Sequence, residues 1–250
     1  MEAFFRFPVE ISISLSIIIV FTAFYLRGFT GFGSAVFGVP LILLMAGIGF
    51  VVPAYLILDA AATGILTIET KKYFSWRIAL PVVLGMIPGN VVGTYILSSY
   101  DIPILKIILG VLILIFSLYI FLVKETPAIK DRRGFLGFIA GALSGVLGGI
   151  FGVSGPPIVI YLKYRIPKKD MFRAQIVLLI IFENVFRLFL YTFGGLFNPF
   201  NLIFALVLLP AMAVGLFLGS KSNIKASQRT FDIIAAGILT MAGAGLIFGF

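Results

Sequence analysis

The stretch GFTGFGSAVFGVP, Gly28 to Pro40, lies inside a long apolar run and carries four glycines and a closing proline. Glycine and proline are the poorest helix formers. A chain that places them where a membrane helix should be regular is interrupting that helix, and the fold depends on why. A second stretch, GVLGGIFGVSGPP from Gly145 to Pro157, has the same character. Aligned at a fixed offset, Gly28, Gly31, Val36, Gly38 and Pro40 recur as Gly145, Gly148, Val153, Gly155 and Pro157.

The surroundings set the solvent. The chain has 250 residues, 61% of them hydrophobic and 12% charged, and a mean hydropathy of +1.17. Soluble domains are about half apolar and about a quarter charged. Apolar segments fall at roughly 9–27, 31–48, 51–70, 76–97, 103–123, 134–150, 153–162, 173–193, 200–220 and 230–249, most of them long enough to cross a bilayer as helices. The reading is an all-α polytopic membrane protein in the cell (cytoplasmic) membrane. The segment at 153–162 is too short to span at about 1.5 Å per residue, so the second and seventh segments read as half-helices or re-entrant pieces. MEAFFRFPVE lacks the marks of a cleaved leader, so the first segment is expected to be retained.

A second pair of blocks follows in the same order. Pro88, Val92, Gly93, Ser98 and Ile102 recur as Pro210, Val214, Gly215, Ser220 and Ile224. The chain thus divides into an N-terminal membrane repeat, 1–123, a polar cytoplasmic linker, 124–133, and a C-terminal repeat, 134–250. Five segments per repeat is an odd number, so the copies enter the membrane with opposite polarity, as in many secondary transporters. Basic residues cluster at 71–77, 124–133, 163–173 and 221–229, whereas SSYDI and GGLFNPFN have none. The positive-inside rule makes the basic loops cytoplasmic and puts both termini outside, if the second and seventh segments reverse the chain.

With no cysteine and no histidine, thiol chemistry, haem attachment and Cys/His metal sites are excluded, and so is the usual neutral-pH acid–base group. No phosphate-binding loop is present. Neither enzyme activity, a cofactor nor a metal is expected, and the net charge of +9 reads as loop charge rather than nucleic-acid binding. A scaffold protein would have a solid core, whereas paired helix breaks predict a cavity at the midplane.

A break leaves backbone N–H groups at the start of the next half-helix, where the helix dipole favours an anion. The candidate binding residues are therefore Thr30, Gly31, Gly33, Ser34, Gly38 and Pro40 in the first motif, and Gly148, Gly149, Gly152, Ser154, Gly155, Pro156 and Pro157 in the second, with Gln175 nearby. Thr30, Ser34 and Ser154 offer hydroxyls. Other glycine pairs, Gly85–Gly89, Gly89–Gly93 and Gly141–Gly145, read as close helix packing. Arg27, Asp59, Glu183 and Arg187 are the candidate pathway or coupling charges. Asp59 and Glu183 fall near mid-membrane, where an acid is a functional hypothesis. Arg187, four residues after Glu183, can pair with it on one helix face. Arg27 either reaches the cytoplasmic surface or draws an anion inward, and Asp59, with no basic residue within a turn, is a candidate for protonation.

The paired, proline-ended motif, the length, the charged linker and the P-x-x-x-x-G helix in each half resemble the TauE/SafE family of membrane permeases over essentially the whole chain. That resemblance implies transport of a sulfur-containing anion such as sulfite, sulfoacetate or a related sulfonate, often as export. The alternative is a proton-coupled transporter of another small organic or inorganic anion. Its partners would be the anion and the lipid bilayer, with homo-oligomerisation left open. The two motifs differ, with Val39 in place of the first proline of GPP and Phe32 in place of Gly149.

Overall fold

Every regular element among the described residues is a helix. The computed structural model describes residues 8–70, 74–99, 104–122, 134–166, 169–222, 237 and 240–248. The helices run in the order α1 (Val9–Thr30), α2 (Ser34–Leu43), α3 (Ile48–Thr70), α4 (Trp76–Ser99), α5 (Ile104–Leu122), α6 (Phe135–Phe151), α7 (Gly155–Arg165), α8 (Lys169–Phe193) and α9 (Pro199–Lys221), and residues 240–248 are also helical. The linker 124–133, the loop residues 223–230 and much of the last apolar segment lie outside the described residues. Segments within α1, α3, α4, α8 and α9 are each long and apolar enough to cross a bilayer. Large apolar side chains point outward, with Ile68 73% and Phe193 77% exposed, as lipid-facing surfaces require.

Both glycine motifs break the helix. α1 ends at Thr30, and Gly31 and Gly33 adopt left-handed backbone, φ +86° and +94°, before α2 begins at Ser34. α6 ends at Phe151, Gly152 turns at φ +73°, and α7 begins at Gly155. Only glycine reaches such angles without steric cost. By its place at the helix end Gly31 is matched by Gly152, whereas its sequence match, Gly148, lies inside α6. The alignment followed glycine spacing, and Gly148 and Gly149 instead lie in the last turn of α6. The half-helices that follow, 10 and 11 residues long, rise about 15 Å, half of the hydrocarbon thickness of about 30 Å.

The remaining glycines build the helix seams. Gly85, Gly89 and Gly93 on α4 face Phe138, Ala142 and Val146 on α6 so closely that an added Cβ would strike backbone at each. Gly141, Gly145 and Gly149 return the same contact against Val82, Met86 and Gly93. Position advances together on both helices, so α4 and α6 run parallel. α1 and α9 pair in the same way, through Gly215 against Phe21, Gly219 against Tyr25, and Gly28 against α9 near Ser220. Such small-residue seams let helices associate in lipid, where no hydrophobic force separates them from the solvent.

α3 and α8 form the central pair and run antiparallel. The side-chain amide of Gln175, near the start of α8, accepts from the backbone N–H of Ser75, just beyond α3, at 3.1 Å and donates to its carbonyl at 3.0 Å. Midway, Asn184 bonds to Asp59. Further along α8, Arg187 lies against Gly152, which also neighbours Val52 near the start of α3.

Candidate transport site

Two groups of buried polar side chains lie between the helix breaks. The first belongs to α1, α2, α3 and α8. Arg27, in the last turn of α1, forms an ion pair with Asp59 of α3, and its other terminal nitrogen donates to Thr63. Arg27 also donates to the Ser34 hydroxyl at 2.8 Å, and that hydroxyl donates to Asp59 Oδ1 at 2.8 Å. Asn184 of α8 supplies Asp59 Oδ2 with a hydrogen bond of 2.9 Å and reaches Thr63 Oγ1 at 3.1 Å. The Tyr55 hydroxyl donates to the Ser34 carbonyl at 2.8 Å.

Both oxygens of Asp59 are thus satisfied by groups from three other helices. Arg27 is only 1% exposed, so it does not reach the membrane surface. The sequence places Arg27 thirty-two positions from Asp59, a long-range pairing that helical spacing cannot reveal. At the start of α2, the negative charge that the helix terminus favours is the protein's own carboxylate. Asp59 is therefore not a lone acid. Tyr55 needs Gly38, because a Cβ there would strike the tyrosine ring. Pro40 is buried within α2. Thr30 stays local, capping the end of α1 through Leu26 and Phe32.

The second group surrounds the other break. Arg187 donates to the Tyr191 hydroxyl at 3.1 Å, and Tyr191 donates to the Gly149 carbonyl at 2.7 Å. The guanidinium lies 5.1 Å from the centre of the Tyr191 ring, a cation–π distance. Gly152 backs onto it, where a Cβ would sit 3.3 Å from Arg187 Nη2. Arg187 Nε has no hydrogen-bond partner, nor does either oxygen of Glu183. The expected Glu183–Arg187 ion pair is not formed, since the pair of Arg27 and Asp59 is the one salt bridge among the described residues. Glu183 instead presses Oε1 against Gly148, where an added Cβ would overlap it.

The remaining candidates divide. Ser144 donates to the Ser154 carbonyl at 2.6 Å and ties the turn back to α6. Pro156 and Pro157 fill the first turn of α7, so they supply no N–H there, and Gly155 is the last amide donor before them. Gln175 spends its side-chain amide on the backbone of Ser75. Thr63, Tyr55 and Tyr191, neutral side chains that nothing in the sequence sets apart, complete the cluster with Asn184. No group of His, Cys, Asp and Glu suited to a metal occurs among the described residues. A cavity of about 660 Å³ lies between α5, α6 and α7, lined by apolar residues such as Leu109, Phe116, Leu143 and Pro157. None of the four buried charges lines it.

A profile described as "Sulfite exporter TauE/SafE" matches residues 16–246. The chain belongs to the TauE/SafE family. Among curated relatives of this family member, a probable sulfite/organosulfonate exporter TauE of Cupriavidus necator is 28% identical over 229 residues, covering 89% of each chain. The probable membrane transporter protein YunE of Bacillus subtilis is 22% identical over 205 residues, covering 71% of this chain and 72% of that one. A probable membrane transporter protein of Methanocaldococcus jannaschii is 22% identical over 186 residues, covering 69% and 68%. No solved structure matches the chain.

Proposed function

We propose that this TauE/SafE member is a secondary permease that carries a small sulfur-containing anion, such as sulfite, sulfoacetate or a related sulfonate, out across the cytoplasmic membrane. The observation that carries the reading is the family match over residues 16–246. It is supported by the buried arginines beside the two helix breaks, since an intramembrane cation is kept only where it is used or paired. The transport unit consists of two inverted repeats, 1–123 and 134–250, joined by the linker 124–133. The antiparallel run of α3 against α8 favours this, because these helices hold the same place in the two halves. The half-helices α2 and α7 re-enter towards the surface they came from. Arg77, Arg173 and Lys221 stand at the ends of α4, α8 and α9 that meet near Gly28 and Ser75, and that end is cytoplasmic by the positive-inside rule.

The test is efflux from liposomes holding purified protein and loaded with sulfite, thiosulfate, sulfoacetate or a carboxylate of the same size. The expected result is efflux of sulfur anions well above that from protein-free liposomes. Efflux of carboxylates alone, or of none of the four, would overturn the proposal.

A further inference from the structure

The two acids at the centre of the molecule are held in opposite ways. Asp59 has an arginine, a hydroxyl and an amide on its two oxygens. Glu183 is 1% exposed and has no hydrogen bond to either oxygen. The same asymmetry applies to the cations. Arg27 is paired with a carboxylate, while Arg187 donates to the Tyr191 hydroxyl, lies by the Tyr191 ring and the Gly152 turn, and leaves Nε without a hydrogen-bond partner. So one arginine and one acid neutralise each other, and the other two are left poised, each for a different ion.

We propose that Glu183 is the proton site of the transport cycle and Arg187 the anion site, so that one monovalent anion moves together with one proton. This rests on the permease reading above and deepens it. Charge bookkeeping gives the reason. With both acids ionised and no cargo the centre is neutral by count, two arginines and two carboxylates, although only Arg27 and Asp59 touch. A monoanion placed on Arg187, beside the glycine turn at Gly152, would leave the centre one unit negative, and an uncompensated buried charge is costly in lipid. A proton added to a Glu183 oxygen turns the carboxylate into a neutral carboxyl and restores neutrality. No bond to the cargo forms or breaks, and the proton is released when the anion leaves.

The charged and titratable groups acting on Glu183 are consistent with this. They are Arg187 on its own helix and Asp59 on α3, with the Ser154 hydroxyl also facing it. Tyr191 lies one turn beyond Arg187. α6, which packs against Glu183 at Gly148, carries no charged or titratable residue from Phe135 to Phe151. The coupled cycle runs in either direction, so export requires anion accumulated inside, and membrane potential does not drive it.

The experiment uses the full chain in liposomes with a pH-sensitive dye inside and the potential clamped by a potassium ionophore. The probe is methanesulfonate, whose charge is fixed at one negative unit. For the wild type, inward methanesulfonate should acidify the lumen by one proton per anion, at a rate unchanged when the clamped potential is varied. E183Q should lose the acidification and the pH dependence while keeping methanesulfonate exchange between equal pools. Methanesulfonate uptake without protons, or uptake that follows the potential, would overturn the inference, as would unaltered proton uptake in E183Q. Because the wild-type measurement decides the coupling, an E183Q protein that failed to fold would not protect it. Sulfite efflux with no methanesulfonate-linked protons overturns the inference alone, and absence of any anion efflux overturns the permease reading and the inference together.

Discussion

Asp59 shows how one residue can join four helices. Its carboxylate gathers Arg27 from α1, Ser34 from α2 and Asn184 from α8 onto α3. Removing one member of a buried pair strands the other, at a cost of about 3–5 kcal/mol. R27A and D59A should each lower the unfolding free energy in detergent by that amount, measured by denaturant titration. Replacing both by apolar residues of similar volume should restore most of it, since a buried pair stabilises little against a packed apolar substitute. If each single variant unfolds like the wild type, the pair is not what holds the centre. The acids and Arg187 were legible as intramembrane charges, because charge in an apolar run stands out. Their partners were not. Arg27, ending a span, read either as a surface residue or as an anion guide, and helical spacing suggested Glu183 with Arg187, whereas Arg187 bonds to Tyr191.

At the scale of helices, the glycines do two jobs that composition alone does not separate. Gly31, Gly33 and Gly152 turn the chain with left-handed backbone, while Gly85, Gly89, Gly93, Gly141, Gly145 and Gly149 let α4 and α6 touch. The three glycine pairs read as packing motifs sit in that seam, because spacing by four residues is a direct property of the helix face. Gly149 was grouped with the break because it lies beside Gly148, yet its Cα packs on Gly93. G89V and G145V should therefore part the seam and abolish a monodisperse peak in size-exclusion chromatography. G155A should leave that peak intact, as a Cβ at Gly155 meets only Val36 at 3.8 Å, ordinary contact. G38A displaces Tyr55 from the Ser34 carbonyl, and its melting temperature should drop well below that of G155A. A G89V protein as well behaved as G155A would show that close approach of α4 and α6 is not required.

At the scale of the whole molecule, the same packing recurs with the halves exchanged. α1 rests on α9 as α6 rests on α4, and α3 meets α8 across the centre. Proline and glycine punctuate the two glycine motifs alike in the sequence, and among the described residues α1 to α9 coincide with the first nine apolar segments. The last segment and the linker cannot be compared, as they lie largely outside the described residues. The absence of cysteine makes orientation straightforward to test. In intact cells, a membrane-impermeant maleimide should label G195C, in the turn between α8 and α9, and leave S222C, after α9, unlabelled until the cells are opened. The reverse pattern would invert the orientation.

On the proposed mechanism an anion is held at Arg187 beside the second helix break, and ligand-dependent melting of the purified protein is the direct check. Sulfite should raise the wild-type melting temperature with the logarithmic dependence on concentration expected of a ligand that binds only the folded state, and R187K should shift that dependence to much higher sulfite. An equal rise in both proteins, or no rise in the wild type up to saturating sulfite, would contradict it.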